Sequence, residues 1–399
     1  DTPMSNAVLP VYGPSPVVFE RGEGVRMYDD KGKAYLDFIA GIAVNSLGHC
    51  NPVLVKALSD QANKLWHTSN MFRVPGQERL AQRYVDLTFA DYAFFTNSGA
   101  ESIEGCIKIA RRYHWAKGDK ERIGILSFEG SFHGRTLGGI SAGAQEKYRE
   151  GFGPRIQGFR SIPFGDHEAL KLAIKEPDLA AVIIEPVQGE GGVREVPEQC
   201  LLGLRKLCDE NGVLLIYDEI QCGAGRTGQL FHHQWVAGAE PDLLAAANGI
   251  GGGFPMGMIL SSEKAASGMA KGVHGTTFGG GPLAMAVGNA VLDVVTGDGF
   301  MEQVRRVAGT MQQGMESLKG RYPELVLDVT GRGLLRGLKM RDDPLPLRSK
   351  LSDRGLLVGT AGNNTLRLAP PLIVTEGDVR EAIDIIDQQF ASMMTASGS

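Results

Sequence analysis

The middle of the chain alternates short apolar runs, rich in β-branched and aromatic residues, with stretches whose apolar residues recur at helical spacing. The runs predict strands, and the clearest helical stretches are Ala100–Trp115 and Pro197–Asn211. Strands that are apolar throughout are typical of a mostly parallel sheet with helices on both faces. The pattern therefore predicts an α/β core whose ligands bind beyond the carboxyl ends of its strands. The predicted strands are Tyr92–Thr96, Ile123–Phe128, Ala181–Pro186, Val213–Asp218 and Met256–Leu260.

The two ends of the chain have a different pattern. Residues Val17–Phe38 predict a small antiparallel element, and long amphipathic stretches after Pro282 predict helices. We expect residues 1–65 to join residues 286–399 in a smaller α+β domain, beside a large domain of residues 66–285. The elements predicted in the last third are helices at Leu283–Val295, Met301–Arg321 and Glu376–Ala391, and a strand pair around Leu334–Met340 and Leu366–Leu368.

Composition narrows the class of protein. The chain has 399 residues, a net charge of −5 and 43% hydrophobic residues, which is typical of a folded protein with a sizeable core. Its interspersed charges argue against nucleic-acid and membrane partners, and no apolar run approaches the about 18 residues of a membrane span. The first residues, Asp1–Pro10, lack the basic and apolar regions of a signal peptide. We therefore expect a cytoplasmic protein.

The cysteines support the same compartment. There are five of them, widely spaced and without a Cys-x-x-Cys pair, which argues against a disulfide framework and a zinc site. We expect free thiols and no metal. The cysteines are Cys50, Cys106, Cys200, Cys208 and Cys222.

Glycine is frequent, at 54 residues, and clusters between apolar runs, where the chain turns tightly or approaches a ligand closely. One such place is Thr96–Glu101, which follows a predicted strand and opens a predicted helix. This segment suits a simple helix cap. It equally suits a phosphate site, in which the free amides of Gly99 and Ala100 bind the anion at the helix N-terminus.

Chemically active side chains follow two other strands. The segment Ser131–Thr136 places Phe132, a histidine and Arg135 together, so that an aromatic ring can stack on a flat ligand and a guanidinium can bind a carboxylate. A surface arginine beside a core phenylalanine is the alternative. Asp218 ends an apolar strand, where a desolvated carboxylate needs a cation, such as a protonated pyridine nitrogen, or serves as an ordinary cap or ion pair.

Two glycine-rich loops come later, Asn248–Pro255 and His274–Pro282. A single glycine loop is weak evidence for a ligand site, but the five candidate sites described so far, in order along one α/β chain, are much stronger evidence.

Together these segments make the chain resemble the class III aminotransferases, which have the fold type I architecture and use pyridoxal 5′-phosphate (PLP). The motifs GIAVNSLGH at Gly41–His49 and WHTSN at Trp66–Asn70 resemble the acetylornithine aminotransferase branch in particular. The resemblance runs from about Val11 to Phe390. Its other motifs are EPVQGEGG at Glu185–Gly192, DEIQCGAGRTG at Asp218–Gly228 and LRLAPPLIVTE at Leu366–Glu376.

The resemblance implies roles for individual residues. The cofactor phosphate would bind at the start of the helix, Phe132 would stack on the pyridine ring, Asp218 would hold the proton of the ring nitrogen, and Gln221 would approach the 3-oxygen. Thr277 would reach the phosphate of a neighbouring subunit, which implies a homodimer. The implied cofactor-binding residues are Ser98, Gly99, Ala100, Phe132, His133, Asp218, Gln221 and Thr277.

The substrates implied are an amino acid and a 2-oxo acid. Arg135 and Arg367 match the arginines that bind substrate carboxylates, and Asn70 is assigned to the same site. Glu190 matches the acid that masks the second arginine while an amino-group donor is bound.

One position departs from the family pattern. The residue before the glycine loop is Asn248, where the family has the lysine that forms a Schiff base with PLP. A carboxamide neither forms an imine nor acts as a base near neutral pH, so covalent attachment and the lysine's proton shuttle are both missing. Losing a positioned base alone costs about 10²–10⁴ in rate. Phe278 and Gly281 also replace the family's usual Tyr and Asn.

The catalytic positions implied are thus Asn248, Asp218 and Glu190, and three functions stay open. The first is transfer of the δ-amino group of N-acetylornithine to 2-oxoglutarate, severely impaired or trapped at the PLP–substrate imine (external aldimine). The second is binding of PLP or pyridoxamine 5′-phosphate, without covalent attachment and without turnover. The third is another reaction that starts from a preformed PLP–amine adduct. Succinylornithine, ornithine and γ-aminobutyrate are alternative amino donors.

Overall fold

The computed structural model describes residues 7–397. Its strands are β1 Phe19–Glu23, β2 Arg26–Asp29, β3 Ala34–Asp37, β4 Tyr92–Thr96, β5 Gly124–Phe128, β6 Phe159–Ile162, β7 Leu179–Ile184, β8 Val187–Gln188, β9 Arg194–Glu195, β10 Leu214–Asp218, β11 Leu243–Ala246, β12 Gly257–Ser261, β13 Val326–Arg332, β14 Leu335–Met340, β15 Leu356–Leu357, β16 Gly359–Ala361 and β17 Thr365–Leu368. Its helices are α1 Ala40–Ala43, α2 Pro52–Ala62, α3 Pro75–Leu87, α4 Gly99–Ala116, α5 Leu137–Ala142, α6 His167–Ala173, α7 Glu198–Asn211, α8 Glu263–Ala266, α9 Pro282–Val295, α10 Phe300–Arg321, α11 Leu345–Asp353 and α12 Glu376–Ser397.

A seven-stranded sheet forms the centre of the molecule, in the order β4-β12-β11-β10-β7-β5-β6. Strand β12 runs antiparallel to both of its neighbours, and every other neighbouring pair is parallel. The prediction of a mostly parallel α/β sheet is therefore confirmed. Each of the five predicted strands is present, with its ends within two residues of the predicted ones.

The central strand β10 shows why its sequence is apolar throughout. Leu214 and Ile216 pack with helix α4 on one face of the sheet, whereas Leu215 and Tyr217 pack with helix α7 on the other. Burial on both faces removes the polar positions that an exposed strand would carry. Only its last residue, Asp218, is charged, and it lies at the carboxyl edge of the sheet.

The two chain ends build the smaller α+β part. Strand β3 pairs in parallel with β15, which lies some 320 residues further along the chain, and β13, β14, β17 and β16 form a separate sheet. Leu36 and Phe38 of the N-terminal segment pack in one core with Met311, Leu368 and Phe390. This arrangement confirms the expected partnership of the two ends, while the boundaries at residues 65 and 285 stay predictions.

A buried arginine links this smaller part to the central sheet. Arg226 lies on the loop that follows β10 and is 2% exposed. Its guanidinium donates to the carbonyl oxygens of Leu334, at 3.1 Å, and Pro370. The loop that begins at Asp218 is therefore anchored at its far end by the C-terminal third of the chain.

Among the described residues, no single helix has the length and apolar character needed to cross a membrane; α9 and α10 meet the length and composition test only as a pair bent by 70°.

Candidate active site

A cavity of about 430 Å³ opens at the carboxyl edge of the central sheet. Strands β5, β7, β10 and β11 end beside it, and helix α4 begins there. Most of the polar side chains of the cavity lie on the segments that follow these strands. The predicted site is therefore where the strand ends of an α/β sheet place it. The lining residues are Gly41, Ile42, Val44, Gly99, Ala100, Phe132, His133, Gly134, Arg135, Tyr148, Glu185, Val187, Glu190, Asp218, Ile220, Gln221 and Asn248.

Asp218 and His133 form an ion pair at the floor of the cavity. The Nδ1 atom of His133 lies 2.7 Å from Oδ2 of Asp218, and both residues are buried. Burial works to lower the pKa of His133, but the hydrogen bond and charge of Asp218 outweigh it, so the pKa is raised above its ordinary value. Oδ1 of Asp218 accepts the backbone N–H of Ile220 at 3.0 Å, so the carboxylate is fixed in position.

Glu185 connects two loops of the cavity wall. Its Oε1 accepts the backbone N–H of Phe132 at 2.9 Å, and its Oε2 accepts that of Gly189 at 3.1 Å. Burial raises the pKa of Glu185 to about 8, and the negative charge of Asp218 adds to the rise while the His133 charge opposes it. One side chain thus holds both the aromatic loop after β5 and the glycine loop that carries Glu190.

Arg367 enters the site from the smaller part of the molecule. Its Nη1 lies 2.6 Å from Oε1 of Glu190 and donates to Oε1 of Gln221 at 3.0 Å. A Cβ atom at position 189 would overlap the Gln221 carboxamide, so glycine there allows the two loops to pack closely. Residues 177 positions apart in the sequence are brought together as a charged pair.

The N-terminus of helix α4 faces the same cavity. Oγ of Ser98 accepts the backbone N–H of Glu101 at 3.3 Å, and Oε2 of Glu101 accepts that of Asn97 at 2.8 Å. Gly99 and Ala100 line the cavity, whereas Ser98 is exposed at its edge. The capping pattern read from the sequence is present, and the first amides of an 18-residue helix are directed at the site.

Asn248 follows β11 and contacts a backbone segment in an unusual conformation. Its Nδ2 donates to the carbonyl oxygen of Ile42 at 2.8 Å. Ala40, Ile42 and Ala43 all have positive φ, at 52°, 68° and 59°, which is strained for residues with a Cβ. The Asp37 carboxylate stabilises this segment by accepting the N–H of Ile39 at 2.9 Å and of Ala40 at 2.8 Å.

Four predicted residues lie outside the lining of this cavity, namely Ser98, Asn70, Thr277 and Arg367. The Asn70 amide donates to the carbonyl oxygens of Thr276, at 3.2 Å, and Gly279, at 3.0 Å, so it joins two loops. Thr277 is exposed on the second of those loops. Their binding roles stay predictions.

Comparison with known proteins decides the family. The model of the family described as "Aminotransferase class-III" matches residues 9–390. The chain belongs to this family. Acetylornithine aminotransferase of Mesorhizobium japonicum is 56% identical over 381 residues, which are 96% of this chain and 95% of the relative. Its counterpart in Brucella melitensis is 54% identical over 397 residues, covering 100% of this chain and 98% of the relative.

Solved structures of aminotransferases have the same fold. Ornithine aminotransferase from Toxoplasma gondii superposes with a TM-score of 0.93 at 31% identity, covering 98% of this chain and 94% of that one. N-acetylornithine aminotransferase from Stenotrophomonas maltophilia gives 0.84 at 36% identity, covering 96% and 98%. The chain is thus a fold type I, PLP-dependent aminotransferase.

The cavity of this aminotransferase fits PLP. Asp218 presents a buried carboxylate that suits a protonated pyridine nitrogen, and the neighbouring His133 Nε2 has no hydrogen-bond partner among the described residues. The amides at the start of α4 suit a phosphate, and Phe132 provides an apolar ring surface. A Cβ at Gly99 would lie 2.9 Å from Ile220, so the helix start and the Asp218 loop are in close contact.

Sequence reasoning missed three features of this aminotransferase site. Glu185 belongs to the motif Glu185–Gly192, and its position at the end of an apolar strand is the same signal that points to Asp218. Tyr148, on a short 3-10 turn at Glu146–Tyr148, carried no recognisable pattern. Ile42 falls within the motif Gly41–His49, but its left-handed conformation has no sequence signal.

The raised pKa of Glu185 predicts a pH dependence of stability. The folded protein keeps this proton between the ordinary pKa of glutamate, near 4.5, and about 8, whereas the unfolded chain releases it. The folded state therefore binds more protons, and the free energy of unfolding falls across this range by at most about 1.4 kcal/mol per pH unit. Glu185→Gln removes this contribution. In urea unfolding, the stability of the unaltered protein relative to Glu185→Gln should decrease from pH 5 to pH 8 and then level off.

A matched control is Glu168→Gln, whose side chain is 82% exposed. Each substitution changes the free energy of unfolding, and this change is measured against pH. If the change has the same pH dependence for Glu185→Gln as for Glu168→Gln, then Glu185 does not titrate as described.

Proposed function

We propose that this protein belongs to the acetylornithine branch of its family, whose reaction moves the δ-amino group of N-acetylornithine to 2-oxoglutarate. Relatives that are 53–56% identical carry the name acetylornithine aminotransferase. The observation that carries the proposal is that Arg135 lines the cavity, while Arg367 contacts two of its lining residues, Glu190 and Gln221. Arg135 offers a guanidinium with no acidic partner in the described part of the chain, and Arg367 is paired with Glu190 at 2.6 Å.

In this proposal, Asp218 and His133 act as one unit. When bound, PLP supplies a ring that withdraws electrons from the substrate bond being broken. The Asp218 carboxylate would hold a proton on the ring nitrogen, and His133 Nδ1, 2.7 Å from Oδ2, fixes the orientation of that carboxylate. Phe132 covers a face of the ring, and the start of helix α4 binds the phosphate.

The Glu190–Arg367 pair lets one cavity accept two unlike substrates. While N-acetylornithine is bound, Glu190 neutralises Arg367, and Arg135 takes the α-carboxylate. When 2-oxoglutarate binds, its second carboxylate competes with Glu190 for Arg367. A guanidinium binds carboxylates in a bidentate manner, and Glu190 is half-buried rather than locked in the core, so this exchange requires the movement of one side chain.

We further propose that Asn248 stands where the family has its PLP-binding lysine. Its amide lines the cavity and donates to the carbonyl of Ile42. An amide nitrogen cannot take the proton from the substrate carbon that bears the transferred amine, which is Cδ in N-acetylornithine, so turnover is lower by about 10²–10⁴ than with a positioned base. Binding of PLP persists, because the contacts at Asp218, Phe132 and α4 do not involve position 248.

Asn248 also favours a second candidate, a protein that binds PLP or pyridoxamine 5′-phosphate without turnover. Both candidates share the cofactor site and differ in whether any half-reaction occurs. Succinylornithine, ornithine and γ-aminobutyrate are the alternative donors, and relative rates with the four amines would rank them.

The substitution Asn248→Lys tests the proposal. It should place an amine beside bound PLP, so that borohydride reduction leaves PLP covalently attached, as read by mass spectrometry. Transamination of N-acetylornithine should rise by about 10²-fold or more. Asn248→Gln is the matched control, since it adds length without a base. Covalent attachment with no transamination of any of the four amines would favour the binding protein, and absence of attachment would contradict the assignment of position 248.

We propose that the protein is a homodimer, because two loops beside the site expose large apolar side chains. Trp66 and Phe72 on one loop are 67% and 65% exposed, and Phe278 on the other is 67% exposed. The ring centroids of His67 and Phe278 lie 5.4 Å apart, and Asn70 joins the loops as described above. A patch of this kind is typical of a protein interface, and Thr277 lies within it.

Sedimentation equilibrium should therefore give twice the chain mass of 42.8 kDa. Phe72→Asp should shift the protein toward the monomer and weaken PLP binding, because Thr277 would no longer reach a partner's phosphate. Leu172→Asp, at a 73% exposed position on α6, is the control and should stay dimeric. A monomer that binds PLP as tightly as the unaltered protein would contradict the proposal.

A further inference from the structure

Arg135 is held in the cavity by aromatic rings rather than by hydrogen bonds. Its guanidinium carbon lies 3.8 Å from the centroid of the Tyr148 ring and 5.6 Å from that of Phe132. Within residues 7–397, no hydrogen bond or ion pair involves its side chain. All of its N–H donors are consequently available to a ligand, while stacking on a ring restricts where the planar group lies.

The Tyr148 ring contacts both Arg135 and Phe132, the residue that we propose stacks on the cofactor ring. It meets Phe132 edge-on, with centroids 5.8 Å apart and an interplanar angle of 79°, and it lines the cavity. Its hydroxyl makes no hydrogen bond with any described residue. The contacts of Tyr148 therefore belong to its ring and not to its polar atom.

Helix α5 sets the separation of the two residues. Arg135 precedes Thr136, whose Oγ1 caps this helix by accepting the N–H of Gly139 at 3.1 Å. The turn of Tyr148 follows the other end, where Arg149 donates to the carbonyl of Gly143 at 2.9 Å. Because α5 has only six residues, its two ends bring the guanidinium and the ring together.

We propose that Tyr148 is a positioning residue, whose ring face holds the Arg135 guanidinium where it takes the α-carboxylate of the N-acylated amino acid. This inference rests on the proposed function. It adds that the Tyr148 ring orients Arg135 before the substrate carboxylate binds. A free arginine side chain would lose rotamer entropy on binding, and stacking removes part of that loss beforehand. The ring should matter for ligands that carry the carboxylate and not for those that lack it.

Binding measurements separate this role from a general effect on folding. N-acetylnorvaline has the carbon skeleton and α-carboxylate of N-acetylornithine but lacks the amine that reacts with PLP, and N-acetylnorvalinamide lacks the carboxylate as well. Calorimetric titration of the PLP-loaded protein should give a lower Kd for the acid than for the amide. Arg135→Gln should abolish that difference.

Tyr148→Leu should raise the Kd of the acid about fivefold, which is about 1 kcal/mol, and leave the Kd of the amide unchanged. Tyr148→Phe keeps the ring and should restore the affinity. Tyr28→Leu is the matched control, because Arg21 lies 3.6 Å above Tyr28 in a similar pair outside the cavity; it should leave both ligands unaffected.

The outcomes distinguish the two proposals. Suppose that Arg135→Gln binds the acid and the amide with equal Kd, and that Tyr148→Leu has the same Kd values as the unaltered protein. That result would overturn the inference about Tyr148 alone. An equal rise in the Kd of the acid in Tyr148→Phe and Tyr148→Leu would also overturn it, since the hydroxyl and not the ring would then position Arg135. Absence of discrimination between acid and amide in the unaltered protein would overturn both the proposed function and this inference.

Discussion

A buried carboxylate at the end of the central strand is the constraint around which the site is organised. Asp218 is 4% exposed and lies where an apolar strand leaves the core. A charge in such a place needs compensation, and the protein supplies one partner, His133, at 2.7 Å. The Asp218 carboxylate lines the cavity, where it suits a second cation. The loops that surround the cavity are therefore organised around this carboxylate.

The loops converge through hydrogen bonds that leave little freedom. Glu185 holds the Phe132 and Gly189 loops together, Arg226 anchors the loop that follows Asp218, and Asp37 supports the strained segment that contacts Asn248. Most of the wall is therefore rigid. The side chain that remains adjustable is Glu190, which is half-buried and whose movement we propose frees Arg367 for a second substrate carboxylate. Rigid cofactor contacts with adjustable substrate contacts suit an enzyme that handles two substrates in one cavity.

Much of this organisation was readable from the sequence, and the limits have physical causes. The central strands were found because burial on both faces leaves continuous apolar runs, and Asp218 because a charge interrupts such a run. Strand β6 was missed because its four residues include an arginine and a serine and form no apolar run. Strand β11 was missed because a short apolar run alone does not distinguish a strand from a buried helix segment. Tyr148 and the Ala40–Ala43 segment were missed because their roles depend on stacking and backbone conformation, which no spacing of residue types encodes. The pairing of Glu190 with Arg367 came only from the family resemblance, because it joins loops 177 residues apart.

The claim that Asp218 maintains a positive charge on the cofactor is tested most directly at the ring nitrogen. PLP labelled with nitrogen-15 at that atom, bound to the purified protein, reports its protonation through the chemical shift. We expect the shift of a protonated pyridine in the unaltered protein across the neutral pH range, and the shift of a neutral pyridine in Asp218→Asn. A neutral nitrogen in the unaltered protein, or the same shift in both proteins, would contradict the central role of this carboxylate.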